Sequence, residues 1–136
     1  MITLEPVNAY DGAHRMRLYM LLDERTPQQA ISHKAMPTYA EHCAFVMNIP
    51  YKAWYLIVDP VDGHTVGATY LSKQNEIGIF IFNHFQGQGY AADAVAELMR
   101  LHDGPFLANI NPMNTRSVRF FQSLGFKPLQ VTYSHE

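Results

Sequence analysis

The chain has 136 residues, 48 % of them hydrophobic, with 10 basic side chains against 12 acidic ones and a formal net charge of −2. That length fits a single domain, residues 1–136, with a core of its own. The near-balanced charge gives no general pull toward nucleic acid or an anionic membrane, and the lone Cys43 excludes an intramolecular disulfide.

The opening segment Met1-Ile2-Thr3-Leu4-Glu5-Pro6 lacks a basic stretch followed by an apolar run, so it does not read as a signal peptide. Since no apolar stretch nears the ~20 residues a membrane span needs, a soluble cytoplasmic protein is expected. Residues 2–7 alternate as a strand. Residues 10–24 show near-helical spacing, with Gly12 weakening the start. Residues 25–37 are polar and carry two prolines, as in a loop or a broken helix. Thr38 followed by Glu41 is a capping-box signature for a helix that runs to Asn48 and stops before Pro50.

The middle is β-rich. Residues 53–58 and 65–72 read as strands around the turn Asp62-Gly63. After a turn at Gln74-Asn75, residues 76–82 form a third strand. Its run Ile77-Gly78-Ile79-Phe80-Ile81-Phe82 is apolar on both faces, which predicts a central position. A helix is expected over 91–100, a short strand over 106–110, and a helix capped by Asn114 or Thr115 that ends at Leu124. Gly125 suits a left-handed residue after that helix, and 129–133 is a last strand. The order implies an α/β (α+β) mixed sheet with helices on its faces.

The strand, the loop Gln86-Gly87-Gln88-Gly89-Tyr90-Ala91 and the following helix carry the chemical signal. At such a junction several N–H groups lack helical partners and the helix dipole adds positive charge, so a phosphate can bind without a lysine. Two glycines before a helix are equally a plain turn. The loop is not a Walker motif, and Ala92 stands where a dinucleotide fingerprint needs its third glycine.

The loop matches the (R/Q)xxGx(G/A) pattern of the GCN5-related N-acetyltransferases (GNAT family). Asn114-Thr115-Arg116-Ser117, Phe120-Phe121 and Leu124-Gly125-Phe126 resemble that family's downstream segment. The stretch Asn75 to Ile81 is similar to the branch that acetylates ribosomal-protein N-termini. The resemblance implies a mostly antiparallel twisted sheet of six to seven strands with helices on both faces and splayed central strands. It further implies acetyl-CoA as acyl donor, with no metal. Ile79, Phe80 and Ile81 would line the pantetheine arm, and N–H groups from Gly87 through Gln88, Gly89, Tyr90 and Ala91 to Ala92 would hold the pyrophosphate beside Gln86. Asn114 would bond the pantetheine, and Phe121 would lie near the thioester sulfur.

The chain departs from the family's proton-transfer residues. Phe121 stands where a Tyr acid is common, and Asn109 where the ribosomal-protein branch can carry a Glu base. Glu76, at the head of the cleft strand, is the candidate base through a water, or else a solvated strand-end carboxylate. His84 and Tyr133 are further candidates for proton transfer. The acceptor side of the family falls on residues 20–54, rich here in His33, Tyr39, His42, Tyr51 and Trp54. A small-molecule amine, an amino-sugar or a peptide amine is the expected acceptor.

The short C-terminus leaves one sheet edge either covered by a loop or paired in a homodimer. Three readings follow: an N-acetyltransferase working by direct transfer, an acyl-CoA-binding module with weak or no catalysis, and an interaction domain whose glycines merely turn the chain.

Overall fold

Helix starts are written by side chains. In the computed structural model, which describes residues 1–25 and 36–136, the Asp11 carboxylate accepts from the N–H groups of Ala13 and His14 and starts α1 at Gly12–Asp23. Thr38 and Glu41 form both halves of a capping box, which begins α2 at Tyr39–Met47. The expected loop or broken helix at 25–37 lies largely outside the described residues, as does His33.

Four strands make one antiparallel sheet in chain order: β1 Thr3–Pro6, β2 Ala53–Val58, β3 Thr65–Leu71 and β4 Ile77–Ile81. A 3-10 turn at Asn83–Phe85 follows, then α3 at Tyr90–Leu101 and α4 at Thr115–Ser123. Period-two alternation sends side chains to two cores. Leu56 and Ala68 meet Leu18, Leu21 and Val46 under α1 and α2, while Leu71 and Ile77 meet Val95, Leu98 and Phe121 under α3 and α4. A register shift at Ile57/Val58 leaves Val66 outside the one-to-one pairing of β2 with β3. Val66 thereby joins Ile57 and Ala94 in a third cluster.

Among the described residues the sheet has four strands, not six or seven. Residues 106–110 still alternate, with Phe106, Ala108 and Ile110 all packed on the core under α3 and α4, the lower core. They meet β4 through one parallel bridge, Glu76 with Leu107, made by Leu107 N–H to Asn75 O and Ile77 N–H to Leu107 O. Beyond that step the two segments part. Accordingly β4 is apolar on both faces because helices cover both, yet it ends the ladder and its outer edge is open. Residues 129–133 also form no strand. Their alternation is right, but a strand needs a ladder partner, and Leu129, Val131 and Tyr133 are all exposed.

Candidate active site

The open edge of β4 is where the site begins. Ile77 N–H points outward to Leu107 and Phe82 N–H points inward to Val66. Strand alternation therefore turns the N–H and C=O groups of Ile79 and Ile81 to the open side. The Ile81 carbonyl accepts from Gln86 Nε2 at 3.1 Å, and Gln86 Oε1 accepts from Arg116 at 2.8 Å. Gln86 thus ties the strand end to α4.

Gly87 and Gly89 take φ of 80° and 85°, in the left-handed region that disfavours side chains, and a Cβ on either would meet nothing within 4 Å. These two residues turn the chain so that Gly89 is the N-cap of α3, with no side-chain cap bond. The first helical bond runs from Asp93 N–H to Gly89 O, which leaves the N–H groups of Tyr90, Ala91 and Ala92 without helical acceptors. Tyr90 anchors the far side of this loop through its hydroxyl, which donates to Asp59 at 2.8 Å.

Between β4 and α4 lies a cleft of about 730 Å³ including its open mouth, with Ile79, Phe80, Ile81, Gln86, Ala91 and Asn114 among its walls. Those six are sequence-expected positions brought together. Gly87, Gln88, Gly89, Tyr90 and Ala92 stand beside it on the loop and the first turn of α3, outside its walls. Asn114 caps α4 through Oδ1, which accepts from Ser117 N–H at 3.2 Å. Arg116, Ser117 and Phe120 add to the α4 wall, and Leu21 of α1 with Glu24 and Arg25 just after that helix close it. Glu24 is fixed there by Asn83 N–H at 2.7 Å.

Phe121 is not at the cleft. It is 5 % exposed in the lower core, and Phe120 takes the wall instead. Helical spacing explains the exchange: Asn114, Ser117 and Phe120 recur every three residues on one stripe of α4. Leu21, Glu24, Arg25, Arg116 and Phe120 are cleft walls that the sequence reading does not single out. The signal for Phe120 was that stripe; for Arg116 it was a cation in the first turn after Asn114.

Glu76 and Asn109, far apart in sequence, are joined. Asn109 Nδ2 donates to Glu76 Oε2, while Ser72 Oγ donates to Glu76 Oε1 at 3.1 Å. This half-buried carboxylate is held beside the point where β4 and residues 106–110 part, and it is not among the cleft walls. His84 is exposed and packs edge-on to Phe85, and Tyr133 is 92 % exposed, so neither faces the cleft.

A second cavity adjoins the first between α1, α2 and the sheet, walled by Leu18, His42, Phe45, Tyr51, Trp54 and Tyr70 among others. Burial pushes the phenols of Tyr51 and Tyr70 up, and it lowers the Arg25 guanidinium, whose carbon sits 4.1 Å from the Phe80 ring centre. Among the described residues no group of three His, Cys, Asp or Glu is placed to hold a metal, and no helix is long and apolar enough to cross a membrane.

Known structures share this architecture. The protein yncA of Salmonella typhimurium, crystallised with acetyl-CoA, aligns with TM-score 0.67 at 17 % identity over 93 % of this chain and 79 % of its own. An aminoglycoside N-acetyltransferase in complex with CoA aligns at 0.74 and 18 %, over 100 % and 94 %. The spermidine N-acetyltransferase of Vibrio cholerae aligns at 0.73 and 13 %, over 95 % and 81 %. At such identities the likeness establishes the fold. None of the curated proteins matches the chain by sequence. The family model for the acetyltransferase (GNAT) domain matches residues 2–127, nearly the whole length, and the chain therefore belongs to the GNAT acetyltransferases.

Proposed function

We propose that this acetyltransferase takes acetyl-CoA into the cleft between β4 and α4 and passes the acetyl group directly to a primary amine. One observation carries the reading: the outward-facing main chain of Ile79 and Ile81 and the acceptor-less start of α3 border the same cleft. The first suits the two amides of a pantetheine arm, which need strand-like partners. The second suits a pyrophosphate, since N–H groups and helix dipole act together. Arg116 adds a cation beside Gln86, where the phosphates would lie. Asn114 spends Oδ1 on its helix cap, and its amide N–H groups are the donors it can offer the arm. Phe120, lining the cleft, replaces Phe121 as the ring nearest the thioester. The solved relatives with CoA or acetyl-CoA support the same donor.

In the reaction the amine nitrogen attacks the thioester carbon. A C–N bond forms, the C–S bond breaks, and CoA departs as thiolate. Glu76, working through a water, is the carboxylate we assign to removing the amine's proton. Asn109 holds it in place, occupying the position where the ribosomal-protein branch can carry the base itself. Acceptors in the solved relatives are aminoglycosides and spermidine by name. The likeness of residues 75–81 to the ribosomal-protein branch points instead to a peptide N-terminus. A peptide acceptor and small amines therefore belong in one assay.

Calorimetry and thermal melting with acetyl-CoA test the donor site. Ligand at about 100 times its Kd adds about 2.7 kcal/mol to stability, so Tm should rise by several degrees. A flat melting curve at millimolar acetyl-CoA would remove the cleft assignment. Thiol release with an amine panel then tests transfer; tight donor binding with no release for any amine would leave a binding module. For Glu76, the Gln variant should flatten the rising limb of the pH–rate profile, and an unchanged profile would dismiss this carboxylate as base.

A further inference from the structure

The second cavity meets the donor cleft at Leu21, Arg25 and Phe80, which wall both. Its remaining walls are chiefly rings, and the rings hold one another. Trp54 stands edge-on to Tyr51 at 4.7 Å and to Phe45 at 6.1 Å, and Tyr51 lies flat on Tyr70 at 3.9 Å. Tyr70 in turn lies across Gly78, where a Cβ would come within 2.0 Å of the ring. Planar apolar walls fixed this way form a pocket shaped before anything enters it.

Its charge is as informative as its shape. Among the described residues the ionisable side chains facing it are Arg25, Glu41, His42, Tyr51 and Tyr70. The one carboxylate among these, Glu41, already accepts from Thr38 N–H at 2.9 Å as half of the α2 capping box. Arg25 stands at the passage between the two cavities, and Glu24 on the cleft side already accepts from Asn83 N–H. An acceptor with several ammonium groups would need several counter-charges here, and the carboxylates it would meet are both engaged.

Resting on the reading of the neighbouring cleft as the donor site, we propose that the acceptor is a primary monoamine with an aromatic or bulky apolar body. The body fills the ring-walled cavity and the amine faces the donor cleft past Phe80. The apolar walls disfavour the ammonium form. The ammonium gives one proton to Glu76 through the intervening water, and the amine attacks as the neutral base. The proton left on nitrogen after C–N bond formation ends on the departing CoA thiolate.

The test is thiol release at saturating acetyl-CoA with 2-phenylethylamine, spermidine, an aminoglycoside and a short peptide. Phenylethylamine should exceed spermidine in kcat/KM by at least ~10-fold, the scale on which apolar pockets discriminate. Phe45→Glu adds a carboxylate at a wall residue that is 37 % exposed, so the fold tolerates it. It should shift the ratio toward spermidine by ~10-fold and leave acetyl-CoA affinity unchanged by calorimetry. For phenylethylamine the rising limb in kcat should lie at least ~1 pH unit below that in kcat/KM, since the bound amine is the more easily deprotonated. A wild-type preference for spermidine, the aminoglycoside or the peptide, or a Phe45→Glu ratio that does not move, would overturn the proposal while leaving the donor site intact. Absence of acetyl-CoA binding would fail the donor reading instead. The cavity is then read alone through Trp54, the only tryptophan: quenching by phenylethylamine and none by spermidine supports it, and the reverse ends it.

Discussion

The donor cleft and the ring-walled cavity share three residues and are built by opposite means. At the cleft the groups we assign to recognition are main chain: the open edge of β4, two left-handed glycines and the bare start of α3. At the cavity the walls we assign to recognition are side chains from α1, α2, β2, β3, β4 and the segment before β2. A backbone site tolerates changes of side chain but not of φ. A ring-walled site tolerates changes of φ nearby but not of volume. Mutations should therefore separate the two regions cleanly.

The largest effect should come where the two cannot be separated. A Cβ on Gly67 would lie 2.1 Å from the Phe80 carbonyl oxygen, and main chain cannot step aside as a side chain can. Gly67→Ala should force β3 from β4 at the residue that walls both cavities. It should cost about 3 kcal/mol or more in denaturant unfolding and weaken donor and acceptor binding together. Gly78→Ala is its foil, because the obstacle there is the Tyr70 ring. It should cost about 1–3 kcal/mol, raise KM for the amine and spare acetyl-CoA binding. Equal damage to both ligands by Gly78→Ala would break the contrast.

Next is the loop. Gly89→Ala meets no atom within 4 Å, so only its φ of 85° is penalised, by about 1–2 kcal/mol. Acetyl-CoA affinity measured by calorimetry should fall roughly tenfold, the equivalent of about 1.4 kcal/mol, while Trp54 quenching by amines stays as in the wild type. Arg116→Gln should do less. Its side chain is exposed, so a loss of roughly threefold that fades in 0.5 M salt is expected.

This contrast also explains what could be read in the sequence. Features set by neighbours in the chain were legible: the capping box of Thr38 and Glu41, the hairpin at Asp62-Gly63, the glycine loop, and the left-handed Gly125 with φ of 92°. Features that need a distant partner were not. Residues 106–110 and 129–133 both alternate like strands, but pairing belongs to the edge they would join. The first found one bridge at Leu107 and the second none. The bond between Asn109 and Glu76 crosses 33 positions and is invisible to local pattern. The ring cavity is the extreme case. His42, Tyr51 and Trp54 fall in the stretch 20–54 expected on the acceptor side, but Phe45 carries no signal of its own there, and Tyr70 and Phe80, which complete the cavity, arrive through strand register. Phe120 was legible and was passed over: the family position seven after Asn114 pointed to Phe121, while the three-residue stripe from Asn114 pointed to Phe120.

The smallest effect tests whether the donor loop is braced from outside the cleft. Tyr90 donates to Asp59 beside the β2–β3 turn. The N–H of Val61 and then the Tyr90 hydroxyl hold the Asp59 carboxyl below its ordinary value of 3.8. The bond to Asp59 likewise holds the Tyr90 phenol above its ordinary 10.0. Signs follow from those directions. A carboxylate with a depressed folded pKa stabilises above its unfolded pKa and loses that contribution as pH falls through the folded value. A phenol with a raised folded pKa stabilises below its unfolded pKa and loses it as pH rises through the folded value. The stability gap between wild type and Tyr90→Phe should thus be flat across neutral pH, shrink in acid as Asp59 protonates and shrink again in alkali as Tyr90 ionises. Asp59→Asn should show a larger acid dependence than Tyr90→Phe, since it removes the titrating charge that both the Val61 N–H and the Tyr90 hydroxyl favour. Thermal melts from acid to alkali measure both gaps. A Tyr90→Phe gap that survives unchanged into strong acid would mean the hydroxyl bond to the Asp59 carboxylate does not brace the loop, and the donor site would then stand on its glycines and helix start alone.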